Sequence, residues 1–148
     1  MRITLDSNIL VRAVISPRGP ALRVLDLVLR EHTLVASRFI LEEVERALLY
    51  PHIQARYRTT VEEVARFVAN LAEVSHLVEP VIRERLVLSD PQDDAVLYTA
   101  AEGKADVLCT RNLRHFDAPR VRRFCAERRI RIMTDLDLLN ELLGERTE

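Results

Sequence analysis

The 148 residues carry 22 basic and 23 acidic side chains, 48% apolar residues and only three glycines. A chain of this length buries a sizeable core without staples, and its interspersed charges exclude a long disordered tail. No apolar run approaches the roughly 20 residues of a membrane span, and no glycine-rich phosphate loop is present, which excludes nucleotide binding of that kind. With no charged-then-apolar leader at the N-terminus, a cytoplasmic protein without a membrane association is expected. Cys109 and Cys125 are too few and too far apart for a zinc ligand set and read as buried thiols.

Taken in chain order, short β-type runs alternate with helical stretches. Residues 2–5 predict a first strand, with Asp6 directly after it and Ser7 or Asn8 opening a helix. Ala21–Arg30 places Leu22, Leu25, Val28 and Leu29 at helical spacing. Strands are expected at 33–36, 77–79, 106–109 and 130–133. Residues 39–50 place Ile40, Val44, Ala47 and Leu48 on one helical face. Thr60 with Glu63 is a capping-box pattern for a helix through about residue 73. Asp90 and Pro91 suit the N-cap and first position of a further helix, and others follow near 118–128 and 135–143. Strands regularly separated by helices predict one domain over 1–148, an α/β/α sandwich around a mostly parallel, about five-stranded Rossmann-like sheet.

In such a fold ligands bind beyond the carboxyl ends of the strands, where the strand order reverses. The polar residues just after strands are therefore the candidates. Asp6 follows the first strand and Ser37 the second, with Glu42, Glu43 and Glu45 on the next helix. At about 100° per residue, Glu42 points away from the apolar stripe centred on Val44, while Glu43 and Glu45 flank its borders. On the helix after Asp90, Val96, Leu97, Ala100 and Ala101 mark the buried stripe, and Asp93 lies at its centre with Asp94 turned away. Thr110, Asn112 and His115 follow the fourth strand at the same edge.

Each acid alone has a plain explanation: Asp6, Asp90 and Asp93 cap or complement helix N-termini, and Glu43 is solvated. Together, acids from separate segments would repel at one sheet edge unless a cation neutralised them, and Mg²⁺ or Mn²⁺ suits oxygen ligands. Arginines clustered from Arg111 to Arg131 either hold a phosphate backbone or form a solvated helix face.

Asp6-Ser7-Asn8 after a strand, Ser37 followed by Glu43-Val44, Asp90-Pro91-Gln92-Asp93-Asp94 opening a helix, and Ala105 through Asn112 together resemble the PIN domain. The likeness spans nearly the whole chain and is nearest to the toxin branch of toxin–antitoxin systems. It implies a Mg²⁺- or Mn²⁺-dependent endoribonuclease, with Asp6, Glu43 and Asp93 as catalytic metal ligands and Asp90 as an additional one. It also implies Ser7, Asn8, Thr110 and Asn112 as orienting residues, and Arg111 and Arg114 as contacts to RNA. A cognate antitoxin and a homodimer or higher homo-oligomer are the implied protein partners.

Many members of that family have an aspartate where this chain has Asn112. Asp117 is a remote substitute, so a single ion is expected. The same substitution supports the alternative of a catalytically degenerate module that binds RNA or a partner protein. Phosphotransfer domains of similar architecture fit less well: Asn8 stands where a second acid is wanted, and the only lysine, Lys104, precedes a strand. Val64, Phe67, Val68 and Leu71 are read as facing the core rather than a second subunit.

Overall fold

A computed structural model describes residues 1–88 and 90–147. Five strands form one all-parallel sheet in the order β3-β2-β1-β4-β5: β1 Arg2–Leu5, β2 Thr33–Ser37, β3 His76–Val78, β4 Val107–Cys109 and β5 Arg131–Met133. The chain runs outward from β1 to β3, then returns to place β4 on the other side of β1. The strand order therefore reverses between β1 and β4, whose carboxyl ends carry Asp6 and Thr110. Ile3, Leu5, Leu34, Val35, Val107 and Leu108 are buried, as strands covered on both faces must be.

Among the described residues seven α-helices connect the strands and an eighth follows β5: α1 Ser7–Ile15, α2 Pro20–Glu31, α3 Arg38–Leu48, α4 Pro51–Tyr57, α5 Val61–Val74, α6 Pro91–Glu102, α7 Pro119–Glu127 and α8 Asp135–Thr147. α1, α2, α3 and α5 fill the crossovers leading outward, and α6 and α7 those leading back. Right-handed crossovers in opposite directions put these two groups on opposite faces, which is the expected three-layer arrangement. α8 packs on α2. No helix among the described residues is long and apolar enough to cross a membrane.

Element positions follow the sequence expectations with local corrections. The helix predicted over 39–50 ends at Leu48, because Pro51 forces Tyr50 into an extended conformation (φ −58°, ψ 135°) and opens the separate helix α4. β3 lies one residue earlier than predicted, at His76–Val78. Thr60 caps α5 by accepting from the Glu63 N–H at 3.1 Å. Val64 and Leu71 of that helix are buried, and Phe67 and Val68 pack against the core as read from the sequence. Both cysteines are buried and unpaired.

α6 is the central helix of the returning half. It is buried almost all round, from Asp93 through Leu97 and again at Thr99 and Ala100. At its C-cap, Gly103 lies so near β2 that an added Cβ would stand 2.1 Å from Val35 Cγ1. A glycine is required there by close approach, not by backbone conformation. The left-handed positions that close α4, α6 and α7 are taken instead by Arg58, Lys104 and Arg129.

Candidate active site

Asp6 is placed by two elements at once. Its backbone N–H donates to Cys109 O at 2.9 Å, tying the end of β1 to β4, and its side chain caps α1 by accepting from the Ser7 N–H at 2.7 Å. Thr110 Oγ1 donates to Asp6 Oδ2 at 2.8 Å, with Asn8 Nδ2 at 3.3 Å from the same oxygen. The cap and the cleft are thus compatible roles for one carboxylate. Burial raises the Asp6 pKa against these bonds, and the charge of Asp90 pushes the same way.

The open cleft beside Asp6 has a volume of about 480 Å³ and is walled by α1, α3 and the N-terminal turn of α6. Asp6, Ser7, Asn8, Glu43, Asp90, Asp93, Arg111 and Asn112 all line it. Glu43 is half-buried, whereas Glu42 and Glu45 are exposed, which separates the two border acids that helical phase left equal. Its carboxylate also accepts from Arg46 Nη1 at 2.7 Å.

Asp90 caps α6 through the Gln92 N–H at 2.9 Å. Asp93, one turn in, is buried, and its pKa is pushed up to about 6 by burial, opposed by its hydrogen bond to His115; the charges of Asp6 and Asp90 push it further up. The inward phase predicted for Asp93 holds, but the contrast with Asp94 does not. Asp94 is also buried, because the segment before α6 folds over it: its Oδ1 accepts from the Leu86 and Val87 N–H groups, both at 2.9 Å. Only Asp93 lines the cleft, so the two acids differ in what they face and not in depth.

Five other residues do not line the cleft. Ser37 is fully buried and bonded to Thr99 Oγ1 at 2.7 Å, so it joins β2 to α6 and does not line the cleft. Arg114 lies away from the acids, in a second depression with Phe116, Arg122 and Cys125. Asp117 lines that depression too and pairs with Arg122 at 3.8 Å. Arg120 and Arg122 stand on the exposed face of α7, where Arg120 pairs with Glu84 at 3.2 Å.

Two residues near the cleft gain importance from the structure. Asp135, buried just after β5, lies 3.4 Å from Arg111 Nη1 and fixes that guanidinium at the rim. The strand-end rule that singled out Asp6 also points to Asp135. His115, carried on a 3₁₀ turn over Leu113–Phe116, places Nδ1 2.6 Å from Asp93 Oδ2. Asp90, Asp93 and His115 each offer a donor atom within 4.8 Å of the others, the group among the described residues best disposed to hold a metal ion. Asn112 reaches the rim, and its backbone N–H donates to Thr110 Oγ1 at 3.0 Å, so the loop fixes the hydroxyl that holds Asp6.

Carboxylates that raise one another's pKa, together with an imidazole, are a donor set suited to a divalent cation. No curated protein matches the chain. Among solved structures, a chain in the crystal structure of VapBC2 from Rickettsia felis bound to a DNA fragment from their promoter superposes with a TM-score of 0.60. The two are 15% identical over 90% of this chain and 98% of that one, a likeness of fold. The sequence profile of the PIN domain matches residues 2–114, from the first strand through the loop that carries Thr110 and Asn112. By that match, which takes in every acid of the cleft, the chain belongs to the PIN domain family.

Proposed function

We propose that the chain is one PIN domain over 1–148 working as a divalent-metal-dependent endoribonuclease, the toxin of a toxin–antitoxin pair, hydrolysing RNA phosphodiester bonds in the cytoplasm. The observation that carries this reading is the convergence of Asp6, Glu43, Asp90 and Asp93 on one cleft, with the Asp93 pKa pushed up to about 6. Packing acids this closely destabilises the charged state unless a cation neutralises them.

Asp6, Asp90, Asp93 and Glu43 would hold Mg²⁺ or Mn²⁺. When bound, such an ion supplies charge neutralisation, activation of water and orientation of the phosphate. The protein's own groups do the positioning. Ser7, Asn8 and Thr110 fix the Asp6 carboxylate by hydrogen bonds. Arg111, held by Asp135, offers its positive charge to a phosphate at the rim. Contacts of that kind bind a backbone without reading sequence. An antitoxin that covers the cleft and a homodimer complete the proposed assembly; the fold shared with VapBC2 supports this reading.

The test is cleavage of a single-stranded RNA with Mn²⁺ or Mg²⁺ by the wild type and by Asp6→Asn. The wild type is expected to cut only with metal, and the variant to be inactive with an unchanged circular dichroism spectrum. A folded Asp6→Asn that cuts at the wild-type rate refutes the assignment.

A further inference from the structure

Among the described residues, the donors grouped closely enough to hold a metal ion are not all carboxylates. His115 is brought to α6 by the 3₁₀ turn, which is anchored by buried Phe116 and by the His115 N–H donating to Asn112 O at 3.0 Å. The imidazole side chain is 36% exposed, so packing alone does not hold it; its contact is the Asp93 carboxylate at 2.6 Å. Two donors around one ion, each about 2.0–2.3 Å from it, lie no more than roughly 4.6 Å apart, so the 4.8 Å spread of this trio closes on a common ion with small adjustments. Oxygen-only sites suit Mg²⁺, whereas an imidazole nitrogen favours transition-metal dications.

We propose that His115, from beside the cleft, joins Asp90 and Asp93 as a ligand of the ion that the acids hold, and that its nitrogen makes the site select a transition-metal dication such as Mn²⁺ over Mg²⁺. This rests on the reading that the cleft holds a divalent ion. It assigns to His115 a ligand role outside the acid set. The chain's other histidines are engaged elsewhere: His32 bonds the N-terminal amine at 3.0 Å, His52 stacks on Tyr50, and His76 starts the edge strand β3. A histidine nitrogen on the metal is therefore traceable to His115.

Calorimetric titration of Mn²⁺ and of Mg²⁺ into the wild type, His115→Ala and His115→Gln tests the selection. Loss of the imidazole is expected to weaken Mn²⁺ by about 10- to 100-fold and Mg²⁺ by less than about threefold. Equal losses for the two metals, or none, overturn the proposal. Pulsed electron paramagnetic resonance of the Mn²⁺-loaded wild type is independent of how the variants fold. It is expected to show coupling to one imidazole nitrogen that responds to isotopic labelling of histidine. Binding of both metals without that coupling overturns the role of His115 and leaves the proposed nuclease standing, whereas absence of binding by either metal overturns both.

Discussion

Thr110 donates its hydroxyl hydrogen to Asp6 Oδ2 across 2.8 Å, although 104 residues separate them. The bond joins the carboxyl ends of β1 and β4, the adjacent parallel strands between which the strand order reverses. Thr110→Val keeps the shape and removes the donor, leaving a buried carboxylate oxygen short of a partner at a cost of about 1–3 kcal/mol. Urea denaturation measures that loss. Thr110→Ser keeps the donor and is expected to retain most of the stability, whereas a loss in Thr110→Ser without one in Thr110→Val would point to the methyl group.

Burial pushes the Asp93 carboxyl up to about 6 in the folded chain, above the ordinary aspartate value of 3.8. Between those values the folded protein holds a proton the unfolded chain has released, so stability falls as pH rises through this window. Asp6, whose pKa is raised too, acts in the same direction. The metal-free protein is accordingly expected to melt at a higher temperature at pH 5 than at pH 7. Adding Mn²⁺ should raise the melting temperature more at pH 7, where the acids are charged. A metal-free melting temperature that climbs from pH 5 to 7 contradicts the assignment.

Arg111 lines the acid cleft and Arg114 does not. Binding of a short single-stranded RNA to an inactive variant, followed by fluorescence anisotropy, should weaken in Arg111→Ala more than in Arg114→Ala. Removing one phosphate contact should also flatten the salt dependence of binding by about one ion for Arg111→Ala. The reverse ranking would place the RNA path over the second depression.

Gly103→Ala forces a methyl group against Val35, where the ideal position lies 2.1 Å from Cγ1. Overpacking of this kind costs about 1–3 kcal/mol, and Val35→Ala in the same chain should return part of it. Thermal melts of the two single variants and the double variant measure the coupling. Strict additivity would mean that α6 moves instead of clashing.

Asp94→Ala removes the acceptor for the Leu86 and Val87 N–H groups without touching the cleft. Hydrogen exchange at those two amides is expected to accelerate, while Mn²⁺ affinity stays within about twofold of wild type, since the removed group lies outside the donor set. A collapse of metal binding in this variant would show that the acids of α6 act as one unit.

Much of this arrangement was legible in the residues. Asp6 announces itself because a carboxylate at the end of a buried strand has few places to go, and β1 is apolar enough to be found. Asp93 is recoverable from the stripe of Val96, Leu97 and Ala100. Its contrast with Asp94 is not, since helical phase describes a helix with one wet face, whereas α6 is buried almost all round and Asp94 is covered by the Leu86–Val87 segment, whose path no local pattern gives. Pro51 contains the signal for the break between α3 and α4, but the apolar spacing of Ala47 and Leu48 carries the eye past it. The bond between Ser37 and Thr99, the pairing of Arg111 with Asp135 and the approach of His115 to Asp93 join distant segments. Such contacts depend on the strand order, which spacing alone does not reveal.

The bridge between the first strand and the fourth also bears on synthesis. A growing chain carries Asp6 and Glu43 out of the ribosome long before Asp93, Thr110 and His115 exist, and β1 has its β4 neighbour only after residues 107–109 have emerged. Contacts this distant in sequence form late. The cleft is thus absent from every nascent fragment that ends before residues 107–115, and acids made early wait for that segment before they share a site.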